Sequence, residues 1–207
     1  MIAVVDYGLG NLHSILKAVE RVAAGREEVR LTESPDDVGR AARVVLPGVG
    51  AFGDTMKGLE QRGLIPALRR VFDDRRPFLG ICMGMEALFA GSDENPGVAG
   101  LGVFPGTLRR FGANGLKVPH MGWNALAFPR PTPLFEGLAP GTHVYFVHSY
   151  HAGLSQPEIV AATSDHGVEF AAAVADPARP IFGAQFHPEK SQDAGLRILT
   201  NFVTLAA

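Results

Sequence analysis

A second cysteine is missing: Cys82 is the only one in a chain of 207 residues. No internal disulfide can form, and no cysteine-based metal site either. An excess of one charge is missing too. Lysines and arginines number 19 against 21 acidic residues, a net charge of −2, which leaves no electrostatic footprint for nucleic acid or an anionic membrane. Arginines come singly or in pairs such as Arg69-Arg70 and Arg75-Arg76, as expected of solvated helix ends. No apolar run reaches the roughly 18 to 20 residues of a membrane span. Met1 to Asp6 lacks the basic region and cleavage site of a signal peptide, so the chain is expected in the cytoplasm. What is present is an ordinary globular composition, 46% apolar and 19% charged. The length fits one α/β domain over residues 1–207, with no repeat, low-complexity tract or dividing linker.

The first half alternates short apolar runs with helical periods. Ile2 to Val5 reads as a strand, and Asn11 to Ala23 as a helix with Leu12, Ile15, Leu16, Val19 and Val22 on one face. Val29 to Leu31 is a second strand. Ser34-Pro35-Asp36-Asp37 supplies a cap, a proline and acidic residues to start a helix. Arg43 to Leu46 is a third strand, ending at the turn Pro47-Gly48-Val49-Gly50. Asp54 to Arg75 carries a helical pattern broken near Gly63 and Pro66; Phe78 to Ile81 is a fourth strand and Met83 to Ala90 a helix. Such alternation predicts an α/β fold, an open and largely parallel sheet with helices on both faces. Ligands then bind at the carboxyl ends of the strands. After a glycine-rich stretch from Ser92 to Gly106, six runs read as antiparallel strands: Thr107 to Phe111, Trp123 to Phe128, His143 to Val147, Ile159 to Thr163, Phe170 to Ala175 and Ile181 to Phe186. A helix over Ala194 to Leu205 closes the chain.

A lone cysteine is usually a small buried hydrophobe, but Cys82 has unusual neighbours. An apolar strand runs into Gly80-Ile81-Cys82-Met83-Gly84 and then a helix, the pattern of a nucleophile elbow, whose sharp turn leaves room only for glycine on either side. A helix N-terminus there favours thiolate and offers free N–H groups, that of Met83 first, to an oxyanion. Near the C-terminus a strand runs into His187-Pro188-Glu189. Side chains two apart on a strand share a face, so Glu189 can fix the His187 tautomer and leave the other ring nitrogen for the thiol. The alternatives are a surface His-Glu pair or a metal site, but two ligands with no third marked make a poor metal site. Gly8-Leu9-Gly10 after the first strand lacks the third glycine of a dinucleotide fingerprint, His13 standing there.

Gly80-Ile81-Cys82-Met83-Gly84-Met85 together with His187-Pro188-Glu189 resembles the class I, triad-type glutamine amidotransferases. Asp6-Tyr7-Gly8-Leu9-Gly10-Asn11-Leu12, Pro119 to Asn124 and Tyr145 to Tyr150 are similar to signatures of the glutaminase subunits of imidazole glycerol phosphate synthase. The resemblance covers essentially the whole chain and implies a flavodoxin-like sheet, Cys82 as nucleophile, His187 as base and Glu189 as its orienter. It implies an oxyanion hole from the N–H of Met83 and one from the Val49-Gly50 turn. Gly50, Glu86, Glu94, His148, Ser149 and Tyr150 would surround glutamine. No cofactor and no metal are implied. Ammonia would pass to a cyclase subunit, a (β/α)8 barrel, in a heterodimer serving histidine biosynthesis, with Asn11, Trp123 and Lys190 at or near the contact. For Trp123, core packing is the competing reading.

Two positions depart from that pattern. Met83 replaces the usual leucine, harmless where only the backbone acts. Glu86 stands where glutamine is usual; a carboxylate there accepts a hydrogen bond from the substrate's amino group but cannot donate one. The Pro47 to Gly50 turn, with its two glycines, is the expected seat of a partner-controlled switch. A glutaminase serving another synthase and a non-catalytic partner subunit remain the other readings.

Overall fold

The computed structural model describes residues 1–10, 12–112 and 115–206; Asn11 lies outside the described residues. A seven-stranded sheet runs in the order β10-β11-β12-β4-β3-β1-β2. Its parallel part is β1 (Ile2–Val5), β2 (Val29–Thr32), β3 (Arg43–Leu46), β4 (Phe78–Ile81) and β12 (Ile181–Ala184). Antiparallel β11 (Glu169–Ala175) and β10 (Val160–Asp165) complete one side. Strands β1, β3, β4 and β12 are buried along their whole length, as a parallel sheet covered on both faces requires.

The period of two in these strands divides the core. Ala3, Val5, Val44 and Leu46 face a cluster with Phe52, Leu59, Leu68 and Val71, contributed by α3 (Phe52–Gln61) and α4 (Leu64–Asp73). Ile2, Val4, Val45 and Leu79 face the opposite cluster, with Ile15 and Val19 of α1 (Leu12–Ala23) and Ile198, Leu199 and Phe202 of α6 (Gln192–Thr204). In α2 (Pro35–Arg40), Ser34 accepts from the N–H of Asp37 at 3.4 Å, the cap read from sequence. Of the two expected breakers, only Gly63 breaks the helix, at φ +65°. Pro66 sits in the first turn of α4, where its missing N–H would have had no partner.

Two expectations need correction. The helix after Cys82, α5, spans only Met83–Glu86, not Met83 to Ala90, and the chain turns into β5 (Phe89–Ser92). Pairing overrides propensity there. Strand β5 lies parallel to β6 (Phe104–Arg110) with Phe89 opposite Phe104, their rings 5.6 Å apart. Strand β12, expected among the antiparallel runs, lies parallel to β4 with Ile181 opposite Phe78 and Ala184 opposite Ile81. It ends at Ala184, two residues short of Phe186. Outside the main sheet, β7 (His120–Ala125) and β8 (His143–His148) form an antiparallel ribbon, and β9 (Tyr150–His151) pairs with β6.

Candidate active site

Because β4 and β12 are parallel and in register, the residues following them emerge side by side. The N–H of Cys82 donates to the carbonyl of Ala184 at 2.7 Å. Cys82 adopts φ +51°, ψ −110°, a strained conformation for a residue with a side chain. Its surroundings enforce that conformation. A Cβ on Gly84 would overlap the carbonyl oxygen of Leu46, and one on Gly80 would overlap the backbone of Gly84, so β3, β4 and α5 close on one another only through glycine. A Cβ on Gly48 would likewise overlap Tyr7 and Met83, which seats the turn after β3 against the elbow.

His187 follows β12 and opens a 3₁₀ turn, Pro188–Lys190. Its Nδ1 is 2.8 Å from Oε1 of Glu189, both side chains being buried. The pair therefore meets across a turn and not along a strand, the reason given by the sequence pattern. The His187 backbone is tied to β8 twice: its N–H donates to the carbonyl of Tyr145 at 2.9 Å, and its carbonyl accepts from the Ser191 hydroxyl at 2.7 Å, which in turn accepts from the N–H of Tyr145 at 3.0 Å. Nε2 of His187 is buried and has no hydrogen-bond partner among the described residues. The thiol of Cys82 rests 3.9 Å from the carbonyl of Val147. Burial, followed by the neighbouring charge of Glu86, pushes the Cys82 thiol well up, outweighing the Met83 N–H that favours thiolate. The elbow N–H that favours thiolate is thus the weaker influence: a helix of four residues offsets little of the cost of burying a charge. The arrangement suits a thiol that gives up its proton as it attacks.

A cavity of about 330 Å³ opens over Cys82, lined by Val49, Gly50, Met83, Glu86, Glu94, His148, Ser149 and Tyr150 among others. That volume is at the small end for ligand sites, the scale of an amino acid. Roomier hollows lie over Phe128 to Pro140, away from Cys82. Glu94 is fixed by accepting from the N–H of Phe52 at 2.7 Å, and Asn95 by accepting from that of Gly53 at 2.7 Å. Together they cap α3, whose own N-cap residue Ala51 has no capping side chain. His148 forms wall but offers the cavity no free ring nitrogen: Nδ1 is 2.7 Å from the carbonyl of Tyr150 and Nε2 is 3.1 Å from Nδ1 of His120. Nε2 of His120 is 3.2 Å from the amide nitrogen of Asn124. One set of neutral tautomers satisfies all three bonds, Asn124 donating to His120, His120 to His148 and His148 to Tyr150. Burial keeps the rings neutral, lowering His148 to about 3 and His120 to about 4.

Sequence reading missed this relay, along with His151, His166, Phe111 and Phe170 packed around it. It also missed Gln185, fully buried, whose side-chain amide donates to Oε1 of Glu86 at 2.9 Å. Glu86 is 2% exposed and its Oε2 has no partner among the described residues; burial above all pushes its carboxyl up to about 8. Burial therefore favours the protonated form of this side chain over the carboxylate expected there. Trp123 is 47% exposed, against the core-packing reading. Its ring lies 6.0 Å from that of Tyr145, and Lys190 sits 5.8 Å over the same Tyr145 ring. Met121, 62% exposed, is two residues away on β7. Among the described residues no group of three or more His, Cys, Asp or Glu could hold a metal ion, and no helix is long and apolar enough to cross a membrane.

Residues 3–206 match the family model "Glutamine amidotransferase class-I". The chain is 48% identical to imidazole glycerol phosphate synthase subunit HisH of Moorella thermoacetica over 201 residues, 97% of this chain and 93% of that protein. It is 50% identical to the subunit of the same name from Methylococcus capsulatus over 210 residues, 98% and 95% of the two. A solved structure described as a glutamine amidotransferase superposes with a TM-score of 0.74 at 18% identity, covering 99% of this chain and all of that one. The glutaminase domain of Trypanosoma brucei CTPS with bound acivicin gives 0.71 at 14% identity, over 100% and 94%. Both structures share the fold.

Proposed function

Since the chain belongs to the class-I glutamine amidotransferases and, within them, to the family of imidazole glycerol phosphate synthase subunit HisH, we propose that Cys82, His187 and Glu189 hydrolyse glutamine for a synthase partner. The carrying observation is the buried His187–Glu189 pair, held by strand register beside the strained elbow at Cys82. The Cys82 sulfur attacks the side-chain amide carbon while its proton passes to Nε2 of His187, and Glu189 holds the Nδ1–H of the resulting imidazolium. The oxyanion is met by the N–H of Met83 and one from Val49-Gly50. His187 then returns the proton to the departing ammonia, leaving a glutamyl thioester. Water, deprotonated by the same imidazole, cleaves the thioester to glutamate and restores the thiol.

Gly50, Glu86, Glu94, Ser149 and Tyr150 bind the substrate, and His148 shapes the wall. The single domain over 1–207 works as one subunit of a heterodimer whose other member is the cyclase, a (β/α)8 barrel that uses the ammonia in histidine biosynthesis. The exposed Trp123 and Met121, with Lys190 near them, support a contact on that face, and Asn11 is assigned to it by resemblance. A nucleophile made of a free thiol suits the reducing cytoplasm. Gly48 is pinned by Tyr7 and Met83, whereas Gly50, at φ +102°, has open space where a Cβ would go, which supports a switch confined to the Val49-Gly50 peptide.

Glutamate release by wild type and Cys82→Ala, each with and without the cyclase, tests this. Wild type should be slow alone and fast with the partner, and the variant at least about 10³-fold slower in the complex. Equal rates for the two in the complex would remove Cys82 from the mechanism, and equal wild-type rates with and without the cyclase would remove the switch.

A further inference from the structure

We propose that Glu86 acts as a neutral carboxylic acid in this site, held by the Gln185 amide, donating an O–H bond to bound glutamine and shutting the site when it ionises. The inference rests on the glutaminase reading. Its geometric basis is independent of that reading. Glu86 is buried on α5 and lines the same cavity as Cys82 and Glu94. Oε1 accepts from a neutral amide, Oε2 accepts from nothing, and no ion pair to Glu86 is found among the described residues. An anion buried with one neutral donor and a second carboxylate across the cavity is poorly compensated, and a proton on the carboxyl removes that penalty. The proton belongs on Oε2, because Oε1 already takes the N–H of Gln185. The side chain then offers the cavity one donor, which an ionised glutamate lacks.

The surrounding groups give no counter-charge. Strands β4 and β5 carry no titratable side chain, and α3 turns Asp54, Lys57 and Glu60 to solvent. The segment after β12 brings Gln185, His187 and Glu189; the loop after β5 brings Asp93 and Glu94; the end of β1 leads to Asp6 and to Tyr7, a phenol pushed up to about 12 chiefly by burial. Desolvation of Glu86, reinforced by Glu94 and opposed by the Gln185 bond, holds the carboxyl at about 8. Once ionised, Glu86 repels the charge that must develop on Cys82, and after burial this repulsion is the leading cause that raises the thiol. Gln185 is a positioning residue, fixing which oxygen of Glu86 carries the proton.

Cys82 is the only thiol in the chain, so alkylation by iodoacetamide reports on it alone and needs no substrate. Rates for wild type and Glu86→Gln are compared from about pH 6 to about pH 10, with glutamine kcat/KM in the cyclase complex over the same range. The variant-to-wild-type alkylation ratio should climb about tenfold across the range, the size of one pH unit of relieved repulsion. The alkaline fall in wild-type kcat/KM should move to higher pH in the variant. A carboxylic-acid C=O stretch in the infrared spectrum of wild type at pH 7, absent from the variant, reads the same proton without any turnover. A ratio independent of pH, or no such stretch, would overturn the proposal. Wild type releasing no glutamate at any pH would strike the glutaminase reading instead, and the alkylation ratio and the stretch would still decide the state of Glu86.

Discussion

Two buried carboxyl groups lie near Cys82, and their surroundings differ. Glu189, beyond β12, is 2.8 Å from a ring nitrogen of His187, a partner that becomes cationic in the proposed reaction. Glu86, on α5, meets only the neutral amide of Gln185 at 2.9 Å. Burial alone therefore does not decide what a carboxyl does; the partner does. The proposed mechanism asks one of these groups to stay charged and the other to stay neutral.

The sharpest break of this comparison is Glu189→Gln. The amide keeps the shape but cannot stabilise the imidazolium or select its tautomer, so kcat should fall by about 10² to 10⁴ with glutamine KM changed far less. A loss confined to KM would place Glu189 outside the mechanism.

The second test asks whether the Glu86 side is costly to ionise. A carboxyl that ionises near 4.5 unfolded and at about 8 folded holds its proton more tightly in the native state. Native stability therefore declines as pH rises from about 4.5 to about 8 and levels off above that. Glu86→Gln removes this dependence. Its stability relative to wild type should grow through that window and level off above it, a gain of a few kcal/mol. Melting temperatures at several pH values would show it, and a constant offset would mean that Glu86 does not titrate there.

The smallest effect belongs to Gln185→Leu. Its amide is the contact that favours ionised Glu86, so the midpoint at which Cys82 alkylation responds to Glu86 should move upward by about one pH unit. A downward shift would mean that Gln185 serves the protonated form.

The sequence made the parallel half and the elbow readable because local pattern and tertiary outcome agree there. The limits of β1, β3 and β4 are those of the apolar runs, and Gly80 and Gly84 are glycines for the reason the motif supplies. The end of α5 was hidden because Phe89 pairs with β6, a contact with a residue fifteen positions away in a glycine-rich stretch. The direction of β12 was hidden because an apolar run looks the same pairing either way. The Glu86 side chain is held by Gln185, 99 residues distant, and the histidine relay rests on side chains from separate strands. Neither leaves a spacing that periodicity could detect.

The side-by-side pairing of β4 with β12 also ties function to fold in a way that limits variation. The hydrogen-bond ladder is the ruler that fixes where the segments carrying Cys82 and His187 leave the sheet, and slipping either strand by a single residue turns all of its side chains to the opposite face. An insertion inside either strand would thus send each of its side chains into the core cluster on the other face and shift the Cys82 and His187 segments relative to one another. Length can change without that penalty only outside these two strands, in the loops and the outer ribbon.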